Sequence, residues 1–201
     1  MSPVLAMDAT PWARRLNGAV KVALFAAFAV ALIVPLDHLE GKAMGARAPL
    51  FLASAVVVPL LGRRRGWHPH AHIGDALLAT PFLLDTLGNL LGIYESFART
   101  DDVLHAVNWV LLVAAFHAFR FRTVFDRRDA LLLGYGFGAV AIVWWEALEW
   151  VVSEDGLGGA GGLSLTYGDT IGDLVMSSTG GLLGSWIGLR LFAAAPIASE
   201  S

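Results

Sequence analysis

The chain has 201 residues, of which 56% are hydrophobic and only 15% charged. Soluble domains lie nearer about 45–50% apolar and ~25% charged, so this excess of apolar surface requires lipid to cover it. A net charge of −3 gives nucleic-acid binding no support, and the lack of cysteine excludes disulfides, thiolate metal sites and a Cys nucleophile. The expected architecture is an all-α polytopic transmembrane helix bundle, a single integral-membrane domain over residues 1–201.

In chain order, Arg14 and Arg15 precede an apolar run, as in the basic n-region of a signal peptide. The run Ala19–Leu36 outlasts a secretory h-region of ~7–15 residues, which predicts an uncleaved first span over about 18–36. Asp37, His38 and Glu40 border its far end. A second span over about 48–62 is short of the ~20 residues a perpendicular helix needs, and is the weakest of the set. His68, His70 and His72 then follow in a segment that reads as a solvated loop rather than a metal or pH-sensing site.

The third span, about 75–94, carries Asp85 and Asn89 at i,i+4. Asp101 and Asp102 precede the fourth, about 103–119, with His105 and Asn108 following on one stripe. Asp101 reads as an N-cap, and His117 as a hydrogen-bonded residue of the bundle. The fifth span, about 130–152, holds Glu146 and Glu149 at i,i+3 among Trp144, Trp145 and Trp150, which are expected to form an interfacial aromatic belt. The glycine-rich stretch Ser153–Gly168 is a flexible lid or a plain connector. Asp169 and Asp173, at i,i+4, open the sixth span, about 170–194, with Asp169 either a cap or part of the site. Gly134, Gly136, Gly138, Gly180, Gly181 and Gly184 read as surfaces for close helix packing.

Orientation follows from the basic residues. With the N-terminus in the cytoplasm, the inner ends hold Arg14, Arg15, Lys21, Arg63, Arg64, Arg65, Arg120, Arg122, Arg127, Arg128 and Arg190, and the outer ends only Lys42, Arg47 and Arg99. The bias predicts six spans with both termini inside. The acids of spans three to six then gather near the outer leaflet, in a pocket facing the periplasm or cell exterior.

Ionisable groups at such depth are costly, from about 2.5–3.5 kcal/mol each on insertion scales, and mark a polar site. Paired on four helices, they form the pattern by which a bundle builds a metal or proton site. Several carboxylates around one imidazole must be neutralised by cations or protonated. Candidate metal ligands are Asp102, His105, Glu146, Glu149, Asp169 and Asp173. Among these His105, Glu146 and Asp173 are the candidate catalytic groups, with Asp85, Asn89 and Tyr167 supporting them. The implied cofactor is a divalent metal ion of unassigned identity.

The motifs Asp85–Asn89, Asp101–His105, Glu146–Trp150 and Tyr167–Leu174 resemble those of the YjdF-like bacterial inner-membrane proteins, and more distantly the VanZ-like group. The likeness covers about residues 75–190 and implies a multi-pass protein of the bacterial inner membrane. Its polar signature falls on Asp102, His105, Glu146, Glu149, Asp169 and Asp173. The VanZ-like group is associated with resistance to a cell-wall glycopeptide, which implies envelope lipids, although its usual Arg before the late acidic motif is missing here.

Three functional classes follow. The first is a metal-assisted hydrolase or transferase acting on a lipid-linked phosphate of the envelope. The second is a non-catalytic membrane subunit or lipid-binding scaffold, with a membrane-protein partner or a second copy of the chain. A proton- or ion-coupled transporter ranks lower, for want of a polar inner route and of an inverted repeat. An aspartate-rich prenyl transferase ranks lowest, since its soluble substrates would lie on the other side.

Overall fold

A computed structural model of the protein describes residues 2–120, 127–153 and 166–193. Its eight α-helices are α1 (Pro3–Asp8), α2 (Pro11–Ile33), α3 (Met44–Arg64), α4 (His72–Leu90), α5 (Ile93–Ser96), α6 (Thr100–Arg120), α7 (Arg127–Val152) and α8 (Tyr167–Phe192). A short 3₁₀ turn, Asp37–Leu39, links α2 to α3. Six of the helices correspond to the six expected spans. Four of them, α2, α3, α6 and α7, are long and apolar enough to cross a membrane. The expected weakness of the second span is corrected: α3 runs for 21 residues because its helix begins before, and ends after, the apolar core of the segment.

Local chemistry sets several helix starts. Pro11 opens α2 with the Thr10 hydroxyl accepting from Ala13 N at 3.3 Å. Thr166 caps α8 in the same way, accepting from Asp169 N at 3.2 Å, so Asp169 is released from capping. The start of α4 is capped from a distance, by Asp8 Oδ1 accepting from Ile73 N at 2.8 Å. That bond gives the N-terminal helix α1, which the apolar pattern did not predict, a structural role. Asp8 is 2% exposed and Val4 fully buried.

Packing centres on α6 and α8. Gly180 and Gly184 let α8 lie against the backbone of α6, and a Cβ at Gly184 would come within 2.5 Å of Val110 O. At Gly188 an added Cβ would meet His117 at 2.7 Å. This is the close small-residue packing that membrane helices use. Helix α4 packs on α2 and α6, α7 on α8 and α6, and α3 on α4 and α2.

Two apolar clusters flank this frame. One joins Val4, Ala13, Ile73, Ala118 and Phe192, and the other Leu24, Phe28, Met44, Phe51 and Ala79. Outward faces remain apolar, with Val22, Ile33, Leu132 and Trp144 each at least 68% exposed. The expected lid falls mainly on residues 154–165, outside the described residues, as does Arg122.

Candidate functional site

A cavity of about 240 Å³ opens among α4, α6, α7 and α8, bordered also by Tyr94 of α5, by Lys42 just before α3 and by Arg47 in its first turn. His105, on the second turn of α6, stands at its centre. Its Nδ1 lies 3.0 Å from Ser177 Oγ of α8. Its Nε2 lies 3.7 Å from Asp101 Oδ1 and 3.6 Å from Asp173 Oδ1. Those separations are too long for direct hydrogen bonds. In the tautomer that carries its proton on Nδ1 and donates to Ser177, Nε2 offers its lone pair toward the Asp101 and Asp173 carboxylates.

Two triads share this imidazole. Asp101, His105 and Asp173 bring one ligand atom each within 4.8 Å of one another, and so do His105, Glu146 and Glu149. Atoms bound at about 2.0–2.2 Å to one ion stand near these separations, so each triad has the spacing of a metal-ligand set. Glu146 is 9% exposed, and neither of its carboxylate oxygens has a hydrogen-bond partner among the described residues. Glu146 reaches the cavity wall only through its triad with His105 and Glu149 and is not itself in the lining; the Asn108 Oδ1, which is in the lining, is likewise buried without a partner. An unsatisfied buried group of this kind costs about 1–3 kcal/mol, and more when charged.

Of the residues expected at the site, His105, Glu146, Glu149 and Asp173 converge, and Asp169 lines the cavity beside them. Asp85 and Asn89 also line it. Asp85 Oδ2 accepts from Asn89 Nδ2 at 3.2 Å and from Arg47 Nη1 at 3.1 Å, while Oδ1 accepts from Tyr94 OH at 2.6 Å.

Two expectations differ. Asp102 stands outside the lining, half-exposed and 3.8 Å from Arg99, while Asp101 takes its place and is no N-cap. Asp101 is one full turn from His105; Asp102, at about 100° per residue, is turned off that face. Tyr167 is 84% exposed at the start of α8, and the phenol that serves the site is that of Tyr94.

The expected tryptophan belt is also revised. Trp144 and Trp150 face outward, at 68% and 54% exposure, but Trp145 turns inward and lines the cavity. Its ring stacks on Phe51 at 6.3 Å between centroids. Adjacent residues on a helix cannot share a face.

The residues missed from the sequence are mostly basic or aromatic: Lys42, Arg47 and Tyr94 all line the cavity. Lys42 Nζ sits 2.9 Å from Glu95 and 5.6 Å from the Tyr94 ring centroid. Glu95 lies in the connector beyond α4; against the burial that would raise it, its hydrogen bond to the Lys42 ammonium holds its carboxyl below the usual range. A signal was present, since Lys42 and Arg47 are two of the three basic residues that the expected orientation leaves at outer ends.

A second polar network lies at the other end of α4. Asp75, fully buried, takes Asn17 Nδ2 at 2.8 Å, the Lys21 ammonium and His70 Nε2 at 2.9 Å, all on Oδ2. His72 Nδ1 is 3.3 Å from Asn17. His70 and His72 therefore belong to a structural network and not to a solvated loop. His117 is buried, with Nε2 2.8 Å from Ser185 Oγ, as expected of a bundle histidine.

Residues 15–194 match the family described as predicted membrane protein (DUF2238), and the chain belongs to that family. No curated protein and no solved structure matches it.

Proposed function

We propose that this multi-pass membrane protein binds a divalent cation in the cavity around His105 and uses it on a lipid-linked phosphate, as a hydrolase or transferase. The observation that carries the reading is Glu146: a carboxylate buried in a bundle, with no partner on either oxygen among the described residues, grouped with Glu149 and the His105 imidazole. Buried carboxylates without compensation are unfavourable, and a cation supplies it.

His105, Glu146, Glu149, Asp101 and Asp173 are the residues that would hold the ion, with Asp169 and Asp85 adding negative potential from the rim. One His with carboxylates suits Zn²⁺, Fe²⁺ or Mn²⁺, and an oxygen-only subset suits Mg²⁺. Such an ion polarises a phosphoryl oxygen and makes bound water more acidic. Ser177 orients the imidazole, and a carboxylate of the second triad is in reach to act as general base.

Six crossings with both termini in the cytoplasm support an outward-facing cavity. On this reading α4 and α8 cross as well, their acids shielded by α6 and α7. The motif likeness to YjdF-like proteins supports the bacterial inner membrane as the location. A non-catalytic lipid-binding scaffold is the second reading, favoured by the dry glycine seam between α6 and α8; that seam also speaks against a transport path between them.

Calorimetric titration of Mn²⁺ and Zn²⁺ into detergent-purified protein tests the proposal. Stoichiometric binding is expected, with at least tenfold weaker binding in His105→Ala and Glu146→Gln. Absence of binding to the wild-type protein overturns it.

A further inference from the structure

Two bases border the acidic cavity, each held beside a carboxylate: Lys42 at Glu95 and Arg47 at Asp85. Both come from the segment entering α3. Arg47 donates from Nη1 to Asp85 Oδ2 at 3.1 Å, and the residue borders the cavity. Asp85 is itself held by Tyr94 and Asn89, so the guanidinium is set at the cavity edge by a fixed counter-ion. Below them the lining becomes apolar, through Pro81, Phe82, Trp109, Leu112 and Trp145.

The outlet of this apolar part is defined by packing. Helix α7 packs on α8 and α6, and it meets α3 and α4 through the Trp145 ring, 6.3 Å from Phe51 and 6.3 Å from Phe82. Trp145 thus stands at the seam between α7 and α4.

We propose that the cavity is the headgroup seat of an amphipathic phosphate ester, which is bound only after the cation. This rests on the cation-binding reading given above. The phosphate oxygens lie on Arg47 and Lys42 on one side and on the cation at the His105 wall on the other. The chain leaves past Trp145 between α4 and α7 into the bilayer.

Three features lead to this arrangement. First, the carboxyl groups of Asp85, Asp101, Glu149, Asp169 and Asp173 outnumber the two bases, so to the extent that they are ionised an anion alone is repelled until a divalent ion offsets them. Second, guanidinium is the side chain whose planar fork suits phosphate oxygens. Third, about 240 Å³ is below the ~300–1,000 Å³ of a site that swallows a drug-sized ligand, so only a headgroup fits and the apolar part must lie elsewhere.

The test uses the full chain in nanodiscs of phosphatidylcholine, with binding read by native mass spectrometry. The probes are dioleoyl phosphatidic acid, dioleoylglycerol and inorganic phosphate, each with and without Mn²⁺. Phosphatidic acid is expected to bind at least tenfold more tightly with Mn²⁺ present, and dioleoylglycerol not to respond to the metal. Inorganic phosphate should compete only weakly. Arg47→Gln should weaken phosphatidic acid binding at least tenfold while keeping stoichiometric Mn²⁺ uptake. Arg47→Lys, which keeps a cation beside Asp85 but lacks the planar fork, should weaken phosphatidic acid binding less, with Mn²⁺ uptake unchanged, and controls for misfolding.

Equal binding of phosphatidic acid and dioleoylglycerol, or full affinity in both Arg47 variants, overturns the headgroup seat while leaving the cation site standing. Competition by inorganic phosphate at the same concentration as the lipid overturns the lipid assignment. Loss of Mn²⁺ binding in the wild type removes the cation reading itself, and this proposal with it.

Discussion

Helix α4 carries two buried aspartates, and the regions around them are built on different rules. Asp75 is the more deeply buried, with no exposure at all, yet its Oδ2 meets the Lys21 ammonium, Asn17 and His70 in a packed setting, and only Oδ1 lacks a partner among the described residues. At the other end of the helix, Asp85 and its neighbours border open space, acids outnumber bases, and Glu146 keeps two oxygens without partners. Depth of burial therefore does not separate a structural ionic lock from a binding site in this molecule. Charge balance and void volume do.

The largest expected effect breaks the lock. Asp75→Ala leaves Lys21, Asn17 and His70 without their shared acceptor, and removing one partner of a buried pair costs about 3–5 kcal/mol. A large fall in the unfolding midpoint in detergent is expected, with or without divalent cation. An Asp75→Ala protein as stable as wild type would end the distinction between the two regions.

The opposite sign is expected at the cavity. Glu146→Leu removes unpartnered oxygens from a buried position and should raise the midpoint of the metal-free protein, by an amount on the order of 1–3 kcal/mol. Wild type should overtake it when Mn²⁺ is added, since a ligand at 100 times its Kd stabilises by about 2.7 kcal/mol. If Glu146→Leu is destabilised without metal, the carboxylate is a structural group and the comparison fails.

The smallest effect concerns Glu95 at the rim. Its folded pKa is depressed, so the Lys42 pair contributes stability above the ordinary carboxylate value of 4.5 and loses it as pH falls through the folded value. Wild type should lose slightly more stability than Glu95→Gln on acidification from neutral pH into that window. High salt should shrink the difference, because the Glu95 carboxylate is open to solvent although Lys42 is half-buried.

How much of this was legible depended on whether the information was local. Helical spacing placed Glu146 with Glu149 and Asp169 with Asp173, and cost arguments alone marked them as a site. Spacing could not choose between Asp101 and Asp102, since i,i+4 and i,i+3 from His105 both permit contact. Tyr167 lies at the very start of its helix, where one turn of the chain redirects a side chain. Arg47 meets Asp85 across 38 residues, and Lys21 meets Asp75 across 54, so neither pairing has a local signature. Trp145 was misplaced because a Trp-rich run near a span end resembles a belt, while its rotation about α7 is set by Phe51 and Phe82.

The glycine seam has a mechanical consequence. Where Gly180 and Gly184 press α8 onto the α6 backbone, sliding or tilting of either helix would drive main-chain atoms into one another. His105, Ser177 and Asp173 therefore ride on one stiff jaw, with their mutual spacing held like the marks on a ruler. Any widening to admit or release a bulky guest falls to the other jaw, where α7 leans on aromatic rings that can swing aside.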